Sequence, residues 1–135
     1  MQFIISLKTS MFDVSKEDKN PINPIFGKSL LVWLKDKISD SVEIDDPDAE
    51  DWGWYSYINW KGRRYLLGST AYVEEGDDPS AEIEYIFQVD KVRSLSEKLF
   101  GREKMTHNDD CFMYIKSLFE SEKEMNEVTT EGSVQ

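Results

Sequence analysis

Residues 52–73 read WGWYSYINWKGRRYLLGSTAYV, two strand-like runs joined at Lys61-Gly62. Aromatic and β-branched side chains suit a pleated, half-buried surface, and a glycine in a two-residue connection supplies the positive φ of a hairpin turn. In the first run Trp52, Trp54, Ile58 and Trp60 fall on one face, and Tyr55 and Tyr57 on the other. In the return run, Tyr65, Leu67, Ala71 and Val73 share a face. Glu82 to Asp90 alternates in the same way, with Ile83, Tyr85, Phe87 and Val89 inward. Three such runs in succession predict an antiparallel meander.

Working outward, Gln2 to Lys8 alternates Phe3, Ile5 and Leu7 against Gln2, Ser6 and Lys8, which predicts a further strand with one buried face. Thr9 to Asn20 is polar and reads as an exposed loop. Asn23-Pro24 offers an N-cap and a preorganised first helical residue. Phe26, Leu30, Leu31, Trp33, Leu34 and Ile38 then recur at helical spacing, so a helix is expected to about Ser39. Ser41 to Asp45 reads as a short strand and Asp46 to Asp51 as a turn.

Toward the C-terminus, Ser94 and Glu97 have the spacing of a capping box, with Gly101 as the stop of a short helix. Asn108 is the expected cap of a last helix, whose apolar side carries Cys111, Phe112, Ile115, Leu118 and Phe119. The order is β-α-β-β-β-β-α-α. It predicts an α+β fold in two layers: a mainly antiparallel sheet with helices on one face and the other face partly open. Residues 1–125 form the expected single domain, and 126–135, without periodicity, the expected disordered tail.

Composition narrows the function classes. The chain has 135 residues, a formal net charge of −11 and one cysteine, so no internal disulfide can form. No secretory leader and no membrane-length apolar run is evident, and the expected compartment is the cytoplasm. Such a charge repels nucleic acid and anionic lipid unless the cations cluster, so neither nucleic acid nor membrane is an expected partner.

The motifs of catalysis are missing. His107 and Cys111 are too few for a zinc site, and neither EIDDPDAED nor EEGDDP has the ligand pattern of a calcium loop. No nucleophile-elbow or phosphate-cradling glycine pattern occurs. No catalytic residue, metal ligand or cofactor is therefore expected.

Charge and aromatic side chains are unevenly placed instead. Glu43 to Asp51 holds six acids in nine residues, and Glu74 to Glu84 six in eleven. Lys91, Arg93, Lys98, Arg102 and Lys104 form an opposing basic run. The first strand of the hairpin carries aromatics on both faces. Either it is buried on both sides, or its tyrosines line an exposed platform.

The second alternative predicts a non-enzymatic interaction domain that docks a basic protein partner. Glu50 and Asp51 would steer, Trp54, Tyr55 and Tyr57 would supply contact area, and Arg64 would orient them. A nucleic-acid mimic is a variant of this reading. The competing expectation is a small-ligand binder or enzyme with a tryptophan-lined pocket between sheet and helices. Either a monomer or a homodimer is compatible, the latter through an exposed edge strand at Gln2–Lys8.

NPIFGKSLLVWL, PDAEDWGWYSYINW and KVRSLSEKLFGREKM together resemble a group of small acidic bacterial proteins of unknown function, over most of the chain up to about Phe119. The resemblance implies a bacterial cytosolic source and a stand-alone domain. It brings no activity or catalytic residue.

Overall fold

Lys61 and Gly62 both adopt positive φ, 49° and 83°, as a two-residue turn between right-twisted strands requires. The computed structural model describes residues 3–74 and 76–132. Its elements in chain order are β1 (Phe3–Thr9), α1 (Lys28–Ile38), β2 (Glu43–Ile44), β3 (Asp48–Glu50), β4 (Gly53–Trp60), β5 (Arg63–Tyr72), β6 (Ile83–Lys91), α2 (Leu95–Leu99), α3 (Asp110–Ser121) and β7 (Met125–Gly132). The sheet runs β2-β4-β5-β6-β1-β7, with β3 also on β4, and every pairing is antiparallel. The fold is α+β, and β4, β5 and β6 form the expected meander.

One face of the sheet is closed. Ile5, Leu67, Phe87 and Val89 point into it and are fully buried beneath Leu30, Leu31 and Leu34 of α1 and Ile115 and Phe119 of α3. The Phe87 and Phe119 rings meet edge to face at 5.1 Å. The short helix α2 buries no residue; its Ser94–Glu97 capping box forms as expected.

Five expectations need correction. First, α1 begins at Lys28 and not at Asn23-Pro24. Its free N–H groups are met from a distance: the Glu17 carboxylate accepts from the backbone nitrogens of Gly27, Lys28 and Ser29 at 3.0–3.1 Å. Phe26 is still extended and bridges to Ala71. Second, Thr9–Asn20 is not simply an exposed loop, because Val14 and Asn20 are buried. The Asn20 amide donates to the carbonyls of Glu50 and Gly53 and so pins the entry to β4.

Third, residues 126–132 of the expected disordered tail belong to β7, while 133–135 lie outside the described residues. Strand β7 pairs with β1, and Glu127 sits at a register shift with φ of 51°. That bulge breaks the two-residue alternation between buried Met125 and half-buried Val128. Fourth, β1 is not an edge: β6 and β7 pair both of its sides, which removes it as a dimerising strand. Gln2, its expected first residue, lies outside the described residues. Fifth, residues 48–50, expected within a turn, form the short strand β3 along β4.

Candidate functional site

Alternation sends Tyr55 and Tyr57 of β4, Arg64 and Leu66 of β5, and Ile86, Gln88 and Asp90 of β6 to the face away from α1 and α3. Of these, Arg64 is exposed and the rest are half-buried. Trp52 joins them. Gly53, at φ 151°, breaks the strand pattern, and the Trp52 ring lies over Gly68, where a side-chain carbon would come within 2.8 Å of it. Trp52 was expected to share a face with Trp54 and Trp60; the glycine between the two tryptophans is the signal that it does not.

The result is an aromatic row. Trp52 and Tyr55 centroids are 6.5 Å apart, Tyr55 and Tyr57 meet edge to face at 5.8 Å, and the Arg64 guanidinium stacks 3.8 Å over Tyr57. Arg64 makes no ion pair among the described residues. Desolvation, followed by the Asp48 carboxylate, raises the Tyr55 phenol above its ordinary value.

Of the sequence-predicted residues, Tyr55, Tyr57 and Arg64 therefore come together. Glu50 lies alongside on β3, opposite Gly53, with its carboxylate accepting from the Asp51 nitrogen, and Asp51 is exposed at the turn into β4. Trp54 does not belong to this surface. It is 4% exposed on the closed face, where its indole donates to the Ile25 carbonyl at 3.1 Å. Asp48, Glu50 and Asp51 lie toward the end of the sheet where β4 begins, β5 stops and β6 starts, whereas Glu43 and Asp45 lie toward its other end, beside Asn59 and Tyr57.

The other end of the open face is basic. There the chain leaving β6 turns back, and with Tyr57, Leu66 and Asp90 it encloses a cleft of about 720 Å³. Arg93, Lys98 and Lys104 form its wall. Two buried or half-buried ion pairs hold that wall. The Arg63 guanidinium takes both Glu97 oxygens at 2.8 Å, which, together with the Ser94 N–H, lowers the Glu97 carboxyl to about 2. Lys91 lies 3.5 Å from Asp109 and 3.8 Å from Glu103. Asp109, rather than Asn108, caps α3 through the Phe112 nitrogen, and it also accepts from the Tyr65 hydroxyl at 2.7 Å.

Beyond the cleft, α2 and its C-cap present Leu95, Leu99 and Phe100, each more than 70% exposed. Burial, first, and the Asp109 and Asp110 charges push the Cys111 thiol up to about 12, so it is held protonated. His107 stacks edge to face on Phe3 at 5.1 Å. Among the described residues no group of three or more His, Cys, Asp or Glu is arranged to hold a metal, and no helix is long and apolar enough to cross a membrane.

The expected tryptophan-lined pocket between sheet and helices is filled by the closed-face core. The 720 Å³ cleft lies elsewhere and no tryptophan lines it. The basic run was visible in the sequence; its folding back beside Tyr57 and Leu66 was not. Compared with known proteins, the chain matches no protein-family model, no curated protein and no solved structure.

Proposed function

We propose that the protein is a non-enzymatic docking domain whose open sheet face receives a basic protein partner. The observation that carries this reading is the Trp52–Tyr55–Tyr57 row, half-buried on a sheet face that α1 and α3 leave uncovered. Rings of this kind contribute large contact area at small conformational cost. Glu43 and Asp45 share a recess with Tyr57 and Arg64, and Asp48 and Glu50 run beside the row. These carboxylates steer a cationic segment toward the rings and repel nucleic-acid phosphates. Arg64, already stacked on Tyr57, offers a fork of donors to the partner's carbonyls or carboxylates. Under this reading the protein works in the cytoplasm, where a single buried thiol needs no partner.

The test compares wild type with the Tyr55→Ala/Tyr57→Ala variant by affinity capture at low salt from the source cells, with circular dichroism as the folding control. The expected outcome is a basic protein retained by wild type and lost from a folded variant, a drop of at least about tenfold in affinity for two interface rings. Equal retention by both would remove the aromatic row from the function.

A further inference from the structure

Across the chain acids outnumber Lys and Arg by 27 to 16, yet around the cleft at the basic end the balance reverses. Lys91, Arg93, Lys98 and Lys104 face it, and Asp90 is the one carboxylate among its lining residues. Lys91 is committed to Asp109 and Glu103. The other three form no ion pair among the described residues. Arg93 is held in place by donating to the Arg102 carbonyl at 2.9 Å and, like Lys98, feels Asp90 without forming an ion pair with it. Three cations outnumber the one carboxylate of the cavity, so they repel each other, and an anion placed among them relieves that repulsion.

The floor has a different chemistry. Tyr57, Leu66, Val92 and Met105 make it largely apolar. The volume of about 720 Å³ falls within the range of sites that enclose small organic molecules. An inorganic anion would satisfy the cations and leave the floor bare, whereas a hydrocarbon would do the reverse. We infer that this cleft is a binding site for a small amphipathic organic anion. Its apolar body lies on Tyr57 and Leu66, and its carboxylate, sulfonate or phosphate group lies between Arg93, Lys98 and Lys104. Asp90, half-buried at the floor, opposes the anion and sets its orientation, head outward. The site stands apart from the docking reading: Tyr57 is common to both, but Lys98 and Lys104 serve only the cleft.

Two naphthalene dyes test this on the intact chain: the anionic anilinonaphthalene sulfonate and the neutral phenylnaphthylamine. The Lys98→Glu/Lys104→Glu variant alters two exposed, unpaired side chains. It should weaken the sulfonate by at least about tenfold, the loss of two charge-assisted contacts, and leave the neutral dye within about twofold. Asp90→Asn should tighten the sulfonate about threefold by removing the opposing charge. Decanoate should displace the dye, and inorganic phosphate at the same concentration should not.

The Leu95→Ser/Phe100→Ser variant, whose changes lie outside the cleft lining, should leave sulfonate binding unchanged. Loss of the dye in that variant would place it on the exposed α2 surface and overturn the assignment. So would absence of dye binding to wild type, indifference to the Lys98/Lys104 reversal, or displacement by phosphate alone.

Discussion

At three places the two faces of the sheet are built from nearly the same residues. Ile4 and Ile5, Leu66 and Leu67, and Ile86 and Phe87 are adjacent pairs of similar chemistry, one member pointing to each side. The second member of each pair is fully buried, and the first is half-buried. At these positions strand hydrophobicity alone therefore does not decide which side is buried. The decision is made by the apolar stripes of α1 and α3, which cover one side only. The uncovered side keeps apolar and aromatic side chains, with acids along its β2–β3 edge and unpaired cations around the cleft, which is why both functional readings fall on it.

The pair at 66 and 67 gives the most direct way to break that comparison. Leu67→Ala removes a fully buried side chain and leaves a cavity under the helices, with an expected cost of about 2–5 kcal/mol. Leu66→Ala trims a side chain on the open face and should cost about 1 kcal/mol or less. Urea unfolding of both variants measures the difference. Equal losses would show the open face to be packed as tightly as the core, and it would then have no surface to offer a partner.

What could be read from the sequence follows the range of the interactions involved. Alternation in β1, β4, β5 and β6 and the Ser94–Glu97 box are set by neighbours a few residues apart, and these readings matched the structure, as did the pairing of Tyr55 with Tyr57 and Arg64. The start of α1 was misplaced because its cap, Glu17, lies ten residues or more away in the chain. Strand β7 was hidden by a bulge at Glu127 that erases its period. Trp52 was assigned to the wrong face because one glycine at positive φ reverses the side-chain direction. The cleft depends on how residues 92–108 fold back against β5 and β6, and no local pattern encodes that.

Gly68→Ala sharpens the comparison at a single atom. The added methyl would meet two carbons of the Trp52 ring at 2.8 Å, and that ring is the far end of a movable side chain. Trp52 should lift from the open face at a net cost of about 1–2 kcal/mol, the overpacking penalty being partly offset by the smaller entropy of the unfolded chain. Acrylamide quenching of tryptophan emission should rise, while Trp54, on the closed face, keeps its protection. Unchanged quenching would mean that Trp52 does not seal the row.

The smallest expected effect lies where α2 joins the sheet and carries part of the cleft wall. Helix α2 buries nothing, so its position depends on the Arg63–Glu97 pair. The Glu97 carboxyl is depressed to about 2 from an ordinary 4.5, chiefly by Arg63. A carboxyl lowered on folding contributes stability that is fully present above its unfolded value and is lost as pH falls through the folded one. The anchoring should thus hold above about pH 4.5 and fade toward pH 2. Glu97→Gln should speed amide exchange across Leu95–Leu99 near neutral pH, and wild type should approach the variant's rate, corrected for intrinsic exchange, as pH falls through that window. A difference that persisted at pH 2 would assign the anchoring to the shape of the Glu97 side chain and not to its charge. Exchange that is equal at neutral pH would show that the cleft wall stands without the pair, leaving the Lys91–Asp109 contact and the Arg93–Arg102 hydrogen bond to hold it.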